Sequence, residues 1–144
     1  MLFPLLIRNP DYNKQDLVRT ILAIDRETRT MTFAGDMPAG WSAQLMRSTL
    51  ERLSSGAATA AGSASAPVAA EAEGVAIMIS CVGRRLVMGQ RITDEIEAAA
   101  ERLPAGMAGL GFYSFGEISP HPATGVCELH NQTMTIMTLA ERPQ

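Results

Sequence analysis

The chain has 144 residues, a formal net charge of −3 and a hydrophobic fraction of 47%. That length suits one compact domain that buries roughly two-thirds of its unfolded surface without staples. The mildly acidic balance, with no basic stripe, argues against a nucleic-acid surface. No apolar run approaches the roughly 20 residues of a membrane-spanning helix, and Met1–Arg8 lacks the basic start of a signal peptide. Cys81 and Cys127 make no disulfide framework. The expectation is a cytoplasmic protein with free thiols and no membrane partner.

Leu2–Arg8 reads as a short apolar strand, followed by a turn over Asn9–Asn13. Leu17–Asp25 and Thr30–Ala34 flank Arg26–Arg29 and read as a β-hairpin; Met31 and Phe33 alternate with polar or small neighbours. After a turn over Gly35–Gly40, Trp41–Arg47 is a fourth strand. Ser48 and Glu51 fit a capping box. Leu50, Leu53, Ala57 and Ala60 or Ala61 then share one helical face. The Ala, Ser and Gly-rich run about 62–74 predicts the end of that helix and a mobile connector inside one domain spanning 1–144.

Val75–Ile79 is apolar at consecutive positions, as a central strand covered on both faces would be. A second helix is expected over Thr93–Leu103. Thr93 is its N-cap, and Asp94, Glu95 and Glu97 complement its positive start. Ile92, Ile96, Ala99 or Ala100, and Leu103 form its apolar stripe, and Pro104 ends it. A glycine-rich strand near Ala108–Phe115 and a final strand near His130–Leu139 complete the pattern. The fold class is α+β: a mainly antiparallel, mixed sheet with two principal helices packed on it as a two-layer sandwich.

Three segments at strand ends carry the candidate chemistry. The first is Ser80-Cys-Val-Gly-Arg-Arg85, read as a loop leaving the central strand. Cys81 and Gly83 would line a ligand, and Arg84 and Arg85 present planar forks suited to a carboxylate or phosphate. The second runs from Gly109 to Pro120. There Tyr113 and Phe115 supply walls, Ser114 and Gly116 join the ligand-binding set, and Glu117 suits an ammonium group. The third is Cys127–Thr133, where His130 and Asn131 would orient a ligand. In each case the competing reading is ordinary structure: surface arginines, an aromatic core strand, a hydrogen-bonded histidine.

Catalytic templates fail. The glycine runs do not sit between a strand and a helix N-terminus, and there is no phosphate loop. No Cys-x-x-Cys or His-x-x-x-His supplies a metal set, and nothing local pairs a histidine with Cys81. No enzymatic activity is expected.

The runs Ser80-Cys-Val-Gly-Arg-Arg85, Gly111-Phe-Tyr-Ser-Phe-Gly-Glu-Ile118 and Leu129-His-Asn-Gln-Thr-Met134, in this order, resemble the C-terminal half of the FIST sensory module. Leu17–Asp25 and Phe33–Gly40 fit the same pattern. The resemblance implies a cytoplasmic input domain of bacterial signal transduction that binds a small ligand such as an amino acid or related small carboxylate. Its implied partners are histidine kinases, chemotaxis receptors or cyclic-dinucleotide enzymes, and the N-terminal half of the same module. The chain begins where that half would end, so a site built between the halves would be incomplete. In the ligand reading, Arg84 or Arg85 clamps a carboxylate and Glu117 takes an ammonium.

Two other readings stand beside it. Some proteins that resemble this family bind haem through a histidine and sense nitric oxide. Here His130 is the axial candidate, because His121 sits in a proline-rich loop. No Cys-x-x-Cys-His is present, so haem would not be covalently attached. A protein-interaction domain without a small ligand is the third reading.

Overall fold

A computed structural model describes residues 3–11, 16–121 and 123–141. The start of the expected first strand, at Leu2, and part of the expected turn, at Tyr12 and Asn13, lie outside these residues. The front half is all strand. β1 (Leu5–Arg8) pairs antiparallel with β2 (Asp16–Arg19) on one side and β5 (Ser42–Leu45) on the other. Ile7 and Leu17 sit opposite each other in this ladder and are buried. β3 (Ile21–Asp25) and β4 (Thr30–Phe33) form a hairpin turned at Arg26–Arg29, but the expected first arm, Leu17–Asp25, is broken at Thr20 and its front part, β2, pairs with β1 instead. The Asp25 carboxylate caps that turn by accepting from the Glu27 and Thr28 amides.

α1 (Leu50–Ser65) buries Leu53, Ala57 and Ala61, the expected stripe. Its N-cap is Thr49, whose hydroxyl accepts from the Arg52 amide, so the cap lies one residue beyond Ser48. The Ser48 hydroxyl instead donates to the Thr49 carbonyl. α1 also runs past Gly62, because alanine and serine sustain a helix that is already docked. The link to the next strand is therefore 66–73.

β6 (Gly74–Cys81) is the centre of the second sheet. It pairs antiparallel with β10 (Met134–Ala140) and parallel with β7 (Met107–Ser114). Every other ladder among the described residues is antiparallel. α1 and α3 (Ile92–Ala100) cover one face of this sheet, giving the two layers of the α+β fold. The core joins Ala57 and Ala61 of α1, Met78 of β6, Ala99 of α3 and Met134 of β10, with Leu103 and Ile136 at its margin. The opposite face carries Leu110, Phe112, Met137 and Leu139, each about half exposed or more.

Three local expectations give way. Residues 82–85 are not a loop: α2 (Val82–Met88) starts directly on the end of β6, capped by Cys81 without a side-chain bond. A short 3-10 turn, Gly89–Arg91, then leads into α3, so Thr93 lies inside that helix rather than capping it. The last expected strand is two strands. β9 (Cys127–His130) pairs with β8 (Glu117–Pro120), and Gln132, at φ 56°, turns the chain into β10.

Candidate functional site

The three motif segments meet at the C-terminal end of β6, around two buried carboxylates. The first is Glu95, fully buried on α3. The Arg84 Nε donates to its Oε2 at 2.8 Å, and Ser80 Oγ and Tyr113 Oη each donate to Oε1 at 3.1 Å. The Arg84 Nη2 donates to the Leu53 carbonyl at 2.8 Å, tying α2 to α1. At 4% exposure, Arg84 is an internal strut whose donors are engaged by the protein. Arg85 behaves differently: it is exposed and lies over the Tyr113 ring, 5.2 Å from its centroid.

The second carboxylate is Glu117, at the start of β8 and also buried. Ser114 Oγ donates to its Oε1 at 2.7 Å and Thr133 Oγ1 to its Oε2 at 2.9 Å. The nearby Cys81 thiol also favours the charged form of the same carboxyl. Burial pushes Glu117 above the usual carboxylate range, and these donors only partly offset it. Burial likewise pushes the Cys81 thiol up, against the backbone amides of Gln132, Gly83 and Arg84. A protonated, enclosed thiol of this kind is a poor nucleophile. Gly116 contributes its carbonyl, which accepts from Ser114 Oγ at 3.2 Å.

In front of Cys81 is a cavity of about 290 Å³. Cys81 and Gly83 come from the first segment, Phe115 from the second and Asn131 from the third. Val82 and Leu86 of α2, Leu22 of β3 and Ala34 after β4 supply further apolar wall. The remaining wall residue, Thr20, joins β2 to β3. No charged side chain lines this cavity among the described residues. A more open hollow of about 410 Å³ at the start of α1 contains none of the motif residues. Tyr113 faces another, of about 230 Å³, beside Ile96 of α3.

The front wall is locked to the third segment. The Asn131 Oδ1 accepts from the Thr20 amide at 3.1 Å, and its Nδ2 donates to the His130 carbonyl at 3.0 Å. Arg19, buried beside it, donates to the carbonyls of Leu129, Asp36 and Val18. Its side chain packs on Gly35, where a Cβ would sit 3.0 Å from the Arg19 Nε and where a φ of 139° favours glycine. The Thr20 hydroxyl, in contrast, is buried with no hydrogen-bond partner. A buried unpaired hydroxyl costs roughly 1–3 kcal/mol. Arg19, Thr20 and Glu95 were not among the residues expected to matter, since a strand arginine, a threonine and a first-turn glutamate carry no distinguishing pattern.

The site therefore separates the expected residues. Cys81, Gly83 and Asn131 line the cavity. Ser114, Gly116 and Glu117 form its backing, and Arg84, Arg85 and Tyr113 lie toward α3. His130 lies toward β8: its Nε2 donates to the Ser119 carbonyl at 3.1 Å, and its ring stacks on His121 at 6.0 Å. His130 lines none of these hollows. A haem iron needs a free imidazole nitrogen facing a space of macrocycle size, so these residues do not fit that group. Among the described residues no group of three or more His, Cys, Asp and Glu side chains could hold a metal ion. No helix among them is long and apolar enough to cross a membrane.

Comparison with known proteins places the sequence. No curated protein and no solved structure matches it. The family model for the FIST C domain matches residues 1–120, which takes in the first two motif segments and stops short of the third. The chain belongs to the FIST C domain family, a sensory family associated with signal transduction.

Proposed function

We propose that this domain senses a small molecule bound in the cavity between α2, the β3–β4 hairpin and Asn131. One observation carries the reading: all three motif segments contribute wall to the same 290 Å³ space. That volume lies at the small end of ligand pockets, and apolar walls with a few polar groups are typical of them. Amino acids and related small carboxylates, the class the resemblance implies, would enter apolar end first. Arg84 and Glu117 serve this reading as struts that hold α2 and β8 in place, and Arg85 is the cation available at the surface.

Binding signals only through a difference in affinity between two conformations. The cavity joins the front hairpin to α2, so occupancy would favour the arrangement in which both touch the ligand. The output partner would be a histidine kinase, chemotaxis receptor or cyclic-dinucleotide enzyme of a bacterial cytoplasm, with the N-terminal half of the module alongside.

A thermal-shift panel of amino acids, small carboxylates, uncharged molecules of similar size and haemin tests this. A ligand specific to the native state raises the melting temperature by mass action. Ala34→Phe, which fills the cavity without replacing a residue of the three segments, is expected to abolish the shift. A shift that survives Ala34→Phe places the ligand elsewhere.

A further inference from the structure

We infer that the β7 edge of the second sheet pairs antiparallel with the β7 edge of a second copy of this chain, joining two three-stranded sheets into one of six. β7 ends the order β10–β6–β7, so one side of its main chain bonds β6 and the other has no strand partner among the described residues. Natural sheets protect such an edge with charge, proline, a bulge or a short strand, or they cover it. β7 has none of the first four. It is eight residues long, carries no charged residue or proline, and holds unbroken register with β6. Nor is it covered: Ala108 to Phe112 are exposed at five consecutive positions, on both faces of the strand. The other described strands at sheet edges are four or five residues long, apart from β10, whose Thr138 hydroxyl donates to the Ala64 carbonyl of α1. No residue of β7 lines the cavity of about 290 Å³, so the inference stands apart from the ligand reading.

Charge and register both select a second copy as the occupant. Arg85 lies over the Tyr113 ring at one end of β7. Glu73, exposed, stands at the other end, where a Cβ on Gly106 would meet its Cγ at 3.3 Å. Neither makes an ion pair among the described residues. A two-fold axis turns the strand end for end, which brings each Arg85 to the end of the ladder where Glu73 of the second copy stands. Centred on Gly111, antiparallel pairing sets Leu110 opposite Phe112 of the second copy, twice, and Tyr113 opposite Gly109. Opposed residues share a face of the sheet. Leu110 and Phe112, 52% and 57% exposed, would therefore cover each other, and the Tyr113 ring would cover a glycine that has no side chain of its own. Ile96 of α3 borders the hollow along residues 109–113 and would be covered in the same step. One strand, Ile96 and the end charges make a contact at the small end of specific interfaces, which suits a dimer held at about micromolar concentration rather than an obligate one.

Analytical ultracentrifugation of the whole chain, from about 1 μM to about 500 μM, tests the inference. A monomer–dimer equilibrium is expected. Leu110→Glu and Phe112→Lys each place an unpaired charge at the middle of the joint, and each should weaken the dimer at least about tenfold. Both positions are half exposed, so the urea midpoint of each variant should stay close to that of the parent. An equimolar mixture of the two should recover the dimer, because the introduced carboxylate then faces the introduced ammonium. Met137→Lys lies on the same apolar face but on the far strand, and should leave the dimer intact. A monomer at every concentration would overturn the inference and leave the edge to another occupant, such as an extended peptide. A dimer that survives both β7 variants, or that Met137→Lys dissolves, would overturn it by placing the contact on another surface. A mixture that stays monomeric while each variant keeps its fold would overturn the antiparallel register, and the inference with it.

Discussion

The Arg84 guanidinium and the Glu95 carboxylate meet at 2.8 Å with both side chains almost wholly withdrawn from solvent. Such a pair is costly to form and more costly to break, because removing one partner leaves the other charge buried alone. Arg84→Ala or Glu95→Ala is expected to lower stability by about 3–5 kcal/mol in urea unfolding. The double replacement Arg84→Met with Glu95→Leu should lose much less than the sum of the two, since no orphan charge remains. If Arg84→Ala folds at full stability and only ligand affinity falls, the strut assignment is wrong.

Glu117 gives a pH signature. Its ordinary pKa is 4.5, and burial raises it in the folded chain. Above pH 4.5 the unfolded chain has released a proton that the folded chain still holds. Stability contributed by this group is therefore greatest at low pH and declines as pH rises through the folded value. Glu117→Gln should flatten that decline, seen as a narrowing gap in urea midpoints between variant and parent at low pH and a variant advantage toward neutrality.

His130 acts in the opposite sense. Burial pushes its imidazole below the ordinary 6.5; the Ser119 carbonyl partly offsets this and the neighbouring His121 adds to it. As pH falls from 6.5 the unfolded chain takes up a proton that folded His130 refuses, so stability is lost through the folded value. An NMR titration should place the His130 midpoint below 6.5. A haemin titration should give no Soret band that His130→Ala removes.

Gly111 tests the close packing of the central strands. A Cβ built there would collide with the Met78 carbonyl on the neighbouring strand. Because the obstacle is backbone, no rotamer change relieves it. Gly111→Ala is expected to cost roughly 3 kcal/mol, measured by thermal or urea unfolding. Gly40→Ala is the useful contrast: its added Cβ meets nothing, although its φ of 87° still disfavours alanine.

The pattern of Val75–Ile79 was enough to read β6 as a central strand, but not as one covered on both faces: Val75, Ile77 and Ile79 lie on the face without helices and are only half-buried. The alternation of Met31 with Phe33 was enough for the hairpin arm. The α1 stripe was legible for the same reason: apolar spacing reports burial directly. α2 was not legible. Seven residues are too few for a periodic signal, and its cap residue, Cys81, makes no side-chain capping bond. The break before β10 was hidden because a left-handed Gln132 has no glycine to mark it. At the site, residue types pointed to the right three segments but not to their division of labour. Arg84 reads as a clamp until Glu95 is known to lie beneath it, and that proximity depends on α3 folding back over the sheet. The unpaired Thr20 hydroxyl is a purely spatial fact, invisible in any one-dimensional pattern.

The bonds from Arg19 to Leu129 and from Thr20 to Asn131 span 110 and 111 residues. During synthesis the front hairpin leaves the ribosome long before either partner exists. Its buried donors stay hydrated until nearly the whole chain has emerged, and the entropy of closing so long a loop falls on the final strands. The cavity is thus closed only by the third segment, far along the chain from the front hairpin. A chain cut at the end of the family-matched region would keep both carboxylates and the front hairpin, yet it would have no back wall to close them on. Truncated copies would for that reason lack the Asn131 side of the cavity.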